Sequence, residues 1–161
     1  MGGEPKKVKI EGAKNKKIKK LAEVTRKGYD FVGWYTKKSG GKKVTTSTKI
    51  KSNTTIYAHW KKNTVKRAVI KSAKSEKKKT VLVKFNKLAG VNGYQIQYST
   101  SNGFKKQATK TITIKGNKTF NKTIKKLKKK TYYIRARAYK TDSTESKVYG
   151  KWSKTRKVKV K

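Results

Sequence analysis

With 161 residues and 32% apolar content, the chain can build two small hydrophobic cores but not one large one, because globular chains average about 45 to 50% apolar on a count that includes Gly. Forty-eight Lys and Arg stand against seven acids, a net charge of +41. The absence of Cys excludes disulfides, thiolate nucleophiles and Cys-bound metals.

The charge is not confined to a tail. Residues 1–62 hold 18 bases and four acids, and residues 63–161 hold 30 and three. Surface scaling predicts roughly 200 Å² per net charge, a spacing of about 14 Å against a Debye length of about 8 Å at physiological salt. Folding is therefore expected to tolerate salt and to weaken as salt is withdrawn. Aromatics at 10%, with abundant Val, Ile and Thr, favour strands and ring burial. No apolar run approaches the roughly 20 residues of a membrane span, and "MGGEPKK" lacks a signal-peptide core. Met1, Gly2 and Gly3 read as a cloned start, so the signal and anchor of an exported parent are expected to lie outside this chain.

The first element is "KVKI", where Val8 and Ile10 share a strand face. "NKKIKKLAEV", 15–24, is the one stretch with helical spacing, since Ile18 and Leu21 lie three apart. "GYDFVGWY", 28–35, packs four rings into seven positions. Tyr29 and Phe31 share a strand face, and Gly28 and Gly33 permit a bend beside them. Trp34 and Trp60 are expected to cap a core too small for aliphatics alone. Each ring buries about 150 to 250 Å², on the order of 4 to 6 kcal/mol of gross transfer energy. The rings therefore read as core rather than as a stacking platform. His59 has no acid near it in sequence and reads as an exposed or edge-strand residue. A polar stretch, "KKNTVK" at 61–66, marks the boundary between a module at 1–62 and another at 63–161.

Period-2 strands then recur: "TVLVKF" (Val81, Val83, Phe85), "GYQIQY" (Tyr94, Ile96, Tyr98), "TITI" (Ile112, Ile114) and "KVKVK" (Val158, Val160). Lys, Gln or Thr fill the alternate positions, the pattern of antiparallel sheets with one wet face. Turns are expected at "SGG" (39–41), "SN" (52–53), "AGVNG" (89–93), "SNG" (101–103) and "KGN" (115–117). Strands every 8 to 12 residues are the spacing of a sandwich. "NKTIKKLKKK", 121–130, turns Ile124 and Leu127 inward and its lysines outward. Arg135 and Arg137 share the outward face of "YYIRARAY", and Trp152 lies on the segment expected to pair beside it. Stacking guanidinium on indole is worth roughly 0.5 to 2 kcal/mol, as a structural ladder first and a ligand shelf second.

Residues 25–60 combine R-K-G-Y-x-F-x-G-W-Y, a Gly-Gly followed by Val44, and T-T-I-Y-A-x-W. This order resembles the internalin-type B repeat, or Listeria-Bacteroides repeat, of bacterial surface proteins, over about residues 16–62. The resemblance implies a small β-grasp-like extracellular module. The family's opening strand, which ends in an Asn-Gly-Gly turn, has no counterpart upstream, so the module is either truncated or opens on a degenerate strand at "KVKI". Residues from about 65 to 161 resemble a bacterial fibronectin type III domain, a seven-stranded immunoglobulin-like sandwich. The matching residues are Val81, Val83 and Phe85, Gly93 and Tyr94, then Leu127 and the corner Tyr132, whose hydroxyl is expected to bond the backbone just upstream. Phe85 stands where many members carry Trp. No Arg-Gly-Asp tripeptide is present. The expected fold class is mainly β, with Tyr29, Phe31, Trp34, Trp60, Phe85, Tyr94, Leu127 and Tyr132 as core markers.

Seven scattered acids, one His and no Cys are poor material for acid–base, nucleophilic or metal chemistry. No catalytic residue, metal ligand or cofactor is expected. "TDSTE", 141–145, holds two acids but too few ligands for Ca²⁺. The expected role is a non-enzymatic pair of modules in an extracellular, surface or secreted bacterial protein, acting as spacer and adhesion unit. Its partners would be neighbouring domains of the parent and anionic polymers, such as wall teichoic acid or acidic host glycans. Candidate contacts are Lys77, Lys78 and Lys79 in "SEKKKT", and Lys125, Lys126, Lys128, Lys129 and Lys130. Nonspecific binding of nucleic acid such as extracellular DNA is the alternative, and a stalk without a ligand is a third reading. The chain is expected to be monomeric and not inserted in a membrane.

Overall fold

A computed structural model describes residues 7–11, 16–118 and 120–161; the Met1–Gly3 start and Asn15 of the expected helical stretch lie outside them. The chain forms two compact units, Met1–Asn63 with Asp142–Ser146, and Thr64–Thr141 with Lys147–Lys161.

The first unit contains β1 (Lys7–Ile10), β2 (Lys16–Lys17), β3 (Tyr29–Tyr35), β4 (Lys43–Val44), β5 (Lys49–Ile50) and β6 (Thr54–Lys62). Its main sheet runs β1-β6-β3-β4, and β2 pairs with β5. All pairings are antiparallel. "KVKI" therefore supplies an opening strand that pairs with β6. The expected helical turn does not form. A helix would place the ammonium groups of Lys16 and Lys20 four residues apart on one face, where like charges repel. Instead Lys16 and Lys17 pair with β5, Ile18 is buried, and the carbonyl of Ala22 accepts the Trp34 indole N–H at 3.0 Å.

A β-bulge organises the aromatics. Phe31 faces Trp60 and Gly33 faces His59, so Val32 is the extra residue. Without it, simple alternation would send Phe31 and Trp34 to opposite faces; with it, both lie on the side of Ile56, Ala58 and Trp60. Gly33 takes φ +146°, which suits glycine. Trp34 is buried to 2% exposure at the centre of a core with Ile18, Val24, Val44, Ile50, Ile56 and Ala58. Phe31, expected inside, is instead 36% exposed. It sits at the open end of the aromatic row, edge-on to Trp34 at 5.8 Å and to Trp60 at 5.3 Å. Tyr29 and Trp60 are half-buried.

The second unit contains β7 (Ile70–Lys74), β8 (Val81–Phe85), β9 (Gly93–Ser99), β10 (Thr109–Lys115), β11 (Asn121–Ile124), β12 (Thr131–Thr141), β13 (Lys147–Tyr149) and β14 (Arg156–Lys159). One sheet runs β10-β9-β12-β13 with β14 also on β12, and the other runs β11-β8-β7. Because β13 and β14 pair with successive stretches of β12, they fill one strand position between them, giving a seven-position sandwich. Among the described residues a 3-10 turn at Lys106–Ala108 is the single helical element. Val81, Val83, Phe85, Tyr94, Ile96, Ile134, Ala136 and Ala138 are almost fully buried, with Leu127 and Tyr132 at the margin of the same core. Gly93 is required: a Cβ there would lie 2.6 Å from the Tyr139 hydroxyl and closer still to the Ile114 carbonyl.

Candidate functional site

Alternation along β12 points Arg135 and Arg137 away from the core, and pairing with β9 sets them opposite Gln97 and Gln95. Arg135 donates from Nε (2.9 Å) and Nη2 (2.7 Å) to Gln97 Oε1, and Arg137 Nε donates to Gln95 Oε1 at 2.8 Å. Rings cover the guanidinium planes. Arg135 lies 3.9 Å from the Phe104 centroid and 4.5 Å from Trp152; Arg137 lies 3.7 Å from Tyr149 and 4.2 Å from Trp152. Burial lowers the pKa of both arginines. The predicted trio thus comes together, with Phe104 and Tyr149 joining it from segments whose sequence gave no sign of this contact. Its geometry is that of a packed ladder, whose cationic planes are already occupied by rings.

Four of the eight predicted lysines line one or other of two cavities. Lys77 and Lys125 line one of about 340 Å³ with Glu76, Thr80, Leu82 and Thr123. Lys125, Lys126 and Lys128 line another of about 480 Å³, which also takes in Lys110, Tyr98 and Tyr132. Lys78, Lys79, Lys129 and Lys130 are exposed and line neither. Tyr132 does not make the expected corner bond among the described residues. Its ring packs 6.3 Å from Tyr98 and its edge opens on the second cavity. Leu127 is the buried plug beneath the lysine turn.

In the first unit, His59 stacks on Tyr35 at 3.9 Å, and its Nε2 lies 2.9 Å from the Lys37 carbonyl oxygen, the geometry of a donated hydrogen bond. Asp142 is 6% exposed. Its Oδ2 accepts from the Gly28 N–H at 2.6 Å, and its Oδ1 from the N–H (2.8 Å) and Oγ1 (2.6 Å) of Thr144 and the Ser146 N–H (3.0 Å). Burial pushes the carboxyl up, but these donors outweigh it and hold the pKa at about 2. The carboxylate is thereby saturated by donors within its own unit. No group of three potential metal ligands occurs among the described residues. Nor is any described helix long and apolar enough to cross a membrane.

The family model of the Listeria-Bacteroides repeat domain matches residues 2–59. The chain is thus similar to a Listeria-Bacteroides repeat over residues 2–59, followed by a domain of fibronectin type III-like fold. A similar fold is seen in the crystal structure of the FN1–FN3 domains of chicken CNTN1, which aligns with 18% identity and a TM-score of 0.50 over 70% of this chain and 38% of that one. The chain thus spans well under half of that protein's length, and the likeness concerns fold alone. The third fibronectin III domain of human KIAA0343 protein aligns at 16% identity and TM-score 0.45, over 57% of this chain and 80% of its own. A myokine structure aligns at 14% and 0.47, over 60% and 98%. No curated protein matches the chain.

Proposed function

We propose that the repeat and the fibronectin type III-like domain act as a non-enzymatic spacer and adhesion unit of a bacterial surface or secreted protein, holding anionic polymers by distributed charge. The fold class is that of structural and interaction modules. One observation carries the polymer-binding part: exposed lysines occur on the outer faces of both sheets of the sandwich. Lys74 and Lys84 lie on one sheet, and Lys115, Lys157 and Lys159 on the other. An even coat of this kind attracts long polyanions from any approach and supplies affinity by counterion release. A nucleic-acid docking groove would gather the charge on one face.

Titrations of the whole chain with wall teichoic acid, heparin and duplex DNA, each at 50 and 200 mM salt, test the reading. Retained binding to teichoic acid or heparin at the higher salt, with DNA lost, supports it. Equal binding to all three, abolished by salt, reduces the charge to a nonspecific cation effect.

A further inference from the structure

We propose that the open end of the sandwich, between the start of β10 and the 125–130 turn, is a binding pocket for one hydroxyl-bearing anionic unit of such a polymer, a polyol phosphate or an acidic sugar. This rests on the polyanion reading above and adds a place and a chemistry to it.

Register supplies the first argument. On β10, Ile112 and Ile114 face Ile96 and Tyr94 across the inward side of the sheet, and the next residue of that row is Lys110, opposite Tyr98. An inward position in a half-buried sheet calls for an apolar residue, yet the chain places a lysine there, exposed at the rim. The cavity before it measures about 480 Å³, within the roughly 300 to 1,000 Å³ of small-ligand sites.

The facing turn is fixed. Leu127 is buried and its N–H bonds the Lys79 carbonyl at 3.0 Å; the Lys130 carbonyl accepts from Val160 N–H at 3.0 Å. Lys126 takes φ +58°, a left-handed conformation that Gly or Asn adopts more cheaply. Lys125, Lys126 and Lys128 of this turn meet Lys110 around the cavity, and none of its described lining residues is acidic. Four lysines around one cavity, with no acid among its described lining, give it a positive potential that an anion relieves.

The other lining groups select among anions. The hydroxyls of Tyr98 and Tyr132 have no partner among the described residues, and neither is sealed from solvent. Thr100 and Gln107 add a further hydroxyl and an amide at the rim. Burial, then the neighbouring Tyr132, raise the pKa of Tyr98, so it remains a neutral donor. The Tyr132 ring itself is 9% exposed. It offers a hydroxyl edge, where base stacking on single-stranded nucleic acid requires an open face. Neutral donors and acceptors between cations match a ligand carrying hydroxyls and a negative charge on the same unit.

The test compares the whole chain with a pocket triple variant (Lys110→Gln, Lys126→Gln, Lys128→Gln) and an equal-charge control (Lys71→Gln, Lys84→Gln, Lys157→Gln). Tyr98→Phe keeps the ring and removes only the hydroxyl. The probes are a glycerol-phosphate oligomer, a hexuronate oligosaccharide, inorganic polyphosphate and single-stranded DNA. The expected result is a loss of about tenfold or more beyond the control for the glycerol-phosphate or hexuronate probe. Which of the two responds identifies the source. Tyr98→Phe should weaken that probe about three- to tenfold and leave polyphosphate unchanged. Equal losses in pocket and control variants on every probe would overturn the pocket while leaving the polyanion reading intact. A pocket-specific loss confined to DNA would overturn its proposed chemistry. Failure of the unaltered chain to bind any probe at physiological salt would remove both.

Discussion

Trp152→Ala removes the ring shared by both ladder arginines. The indole lies 4.5 Å from the Arg135 guanidinium carbon and 4.2 Å from that of Arg137. Such contacts are worth about 0.5 to 1 kcal/mol when exposed and about 2 when desolvated. Both arginines are half-buried, so about 1 kcal/mol each is appropriate. The half-buried ring withdraws roughly 100 Å² from water, about 2.5 kcal/mol by area. Allowing for relaxation of Phe104 and Tyr149 into the gap, the expected loss is about 3 to 4 kcal/mol.

The assay is urea unfolding followed by far-ultraviolet circular dichroism, which does not depend on the deleted chromophore. Arg137→Met retains the aliphatic stem and loses the charge, so the double variant closes a thermodynamic cycle. A coupling energy of about 1 kcal/mol between Trp152 and Arg137 is expected. Coupling within about 0.3 kcal/mol of zero would refute the cation–aromatic account and leave Trp152 as packing area alone. A Trp152→Ala variant as stable as the unaltered chain would refute the ladder's structural role altogether.

Trp34→Ala should cost about 3 to 5 kcal/mol and strip amide-exchange protection from β3 and β6; retained protection there would mean the ring is not the centre of that core. Asp142, held at about 2 against an ordinary 3.8, contributes stability that is fully present above pH 4 and is lost as pH falls through 2, because the unfolded chain binds the proton first. Discounted for screening, the term is roughly 1 kcal/mol; Asp142→Asn should remove it, measurable as a flattened pH dependence of urea midpoints between pH 5 and 2. The 11611 Å² surface leaves about 280 Å² per net charge, a spacing of about 17 Å, so lowering salt from about 150 to 10 mM lengthens the screening distance from about 8 to 30 Å and should lower the melting temperature. A melting temperature independent of salt would contradict that repulsion. Gly93→Ala should destabilise the sandwich by more than about 1 kcal/mol in the same unfolding assay, since its Cβ meets a fixed carbonyl.

The strands of the sandwich were legible because each one repeats a two-residue alternation between a dry and a wet face. Val81, Val83 and Phe85, or Tyr94 and Ile96, announce both the strand and its inward side, and their burial follows. The aromatic stretch of the first unit was legible in kind but not in detail. Nothing local marks Val32 as the extra residue of a bulge; that depends on which β6 residue Gly33 faces. The same bulge decides that Trp34 sits centrally while Phe31 is left at the rim. The helical reading of 15–24 failed because spacing alone ignores where backbone bonds go. The Ala22 carbonyl is taken by an indole twelve residues away, and Lys16 and Lys17 pair with a strand more than thirty residues on.

The candidate pocket shows the limit of reading charge along a chain this basic. Each lysine run resembles every other, so Lys125, Lys126 and Lys128 stood out no more than Lys77, Lys78 and Lys79. Lys110 did not stand out at all, being one polar residue in an alternating "KTITIK". Its position becomes informative only when the β9–β10 register sets it opposite Tyr98 on the inward face. The hydrophobic pattern ends one step before the strand does, and the step left over is cationic. Lys122 also occupies an inward row, opposite Val83, but lines neither cavity, so the row position alone does not make a site. Inward placement against two phenols with the lysine turn beyond is therefore the feature that separates a shaped site from the coat around it.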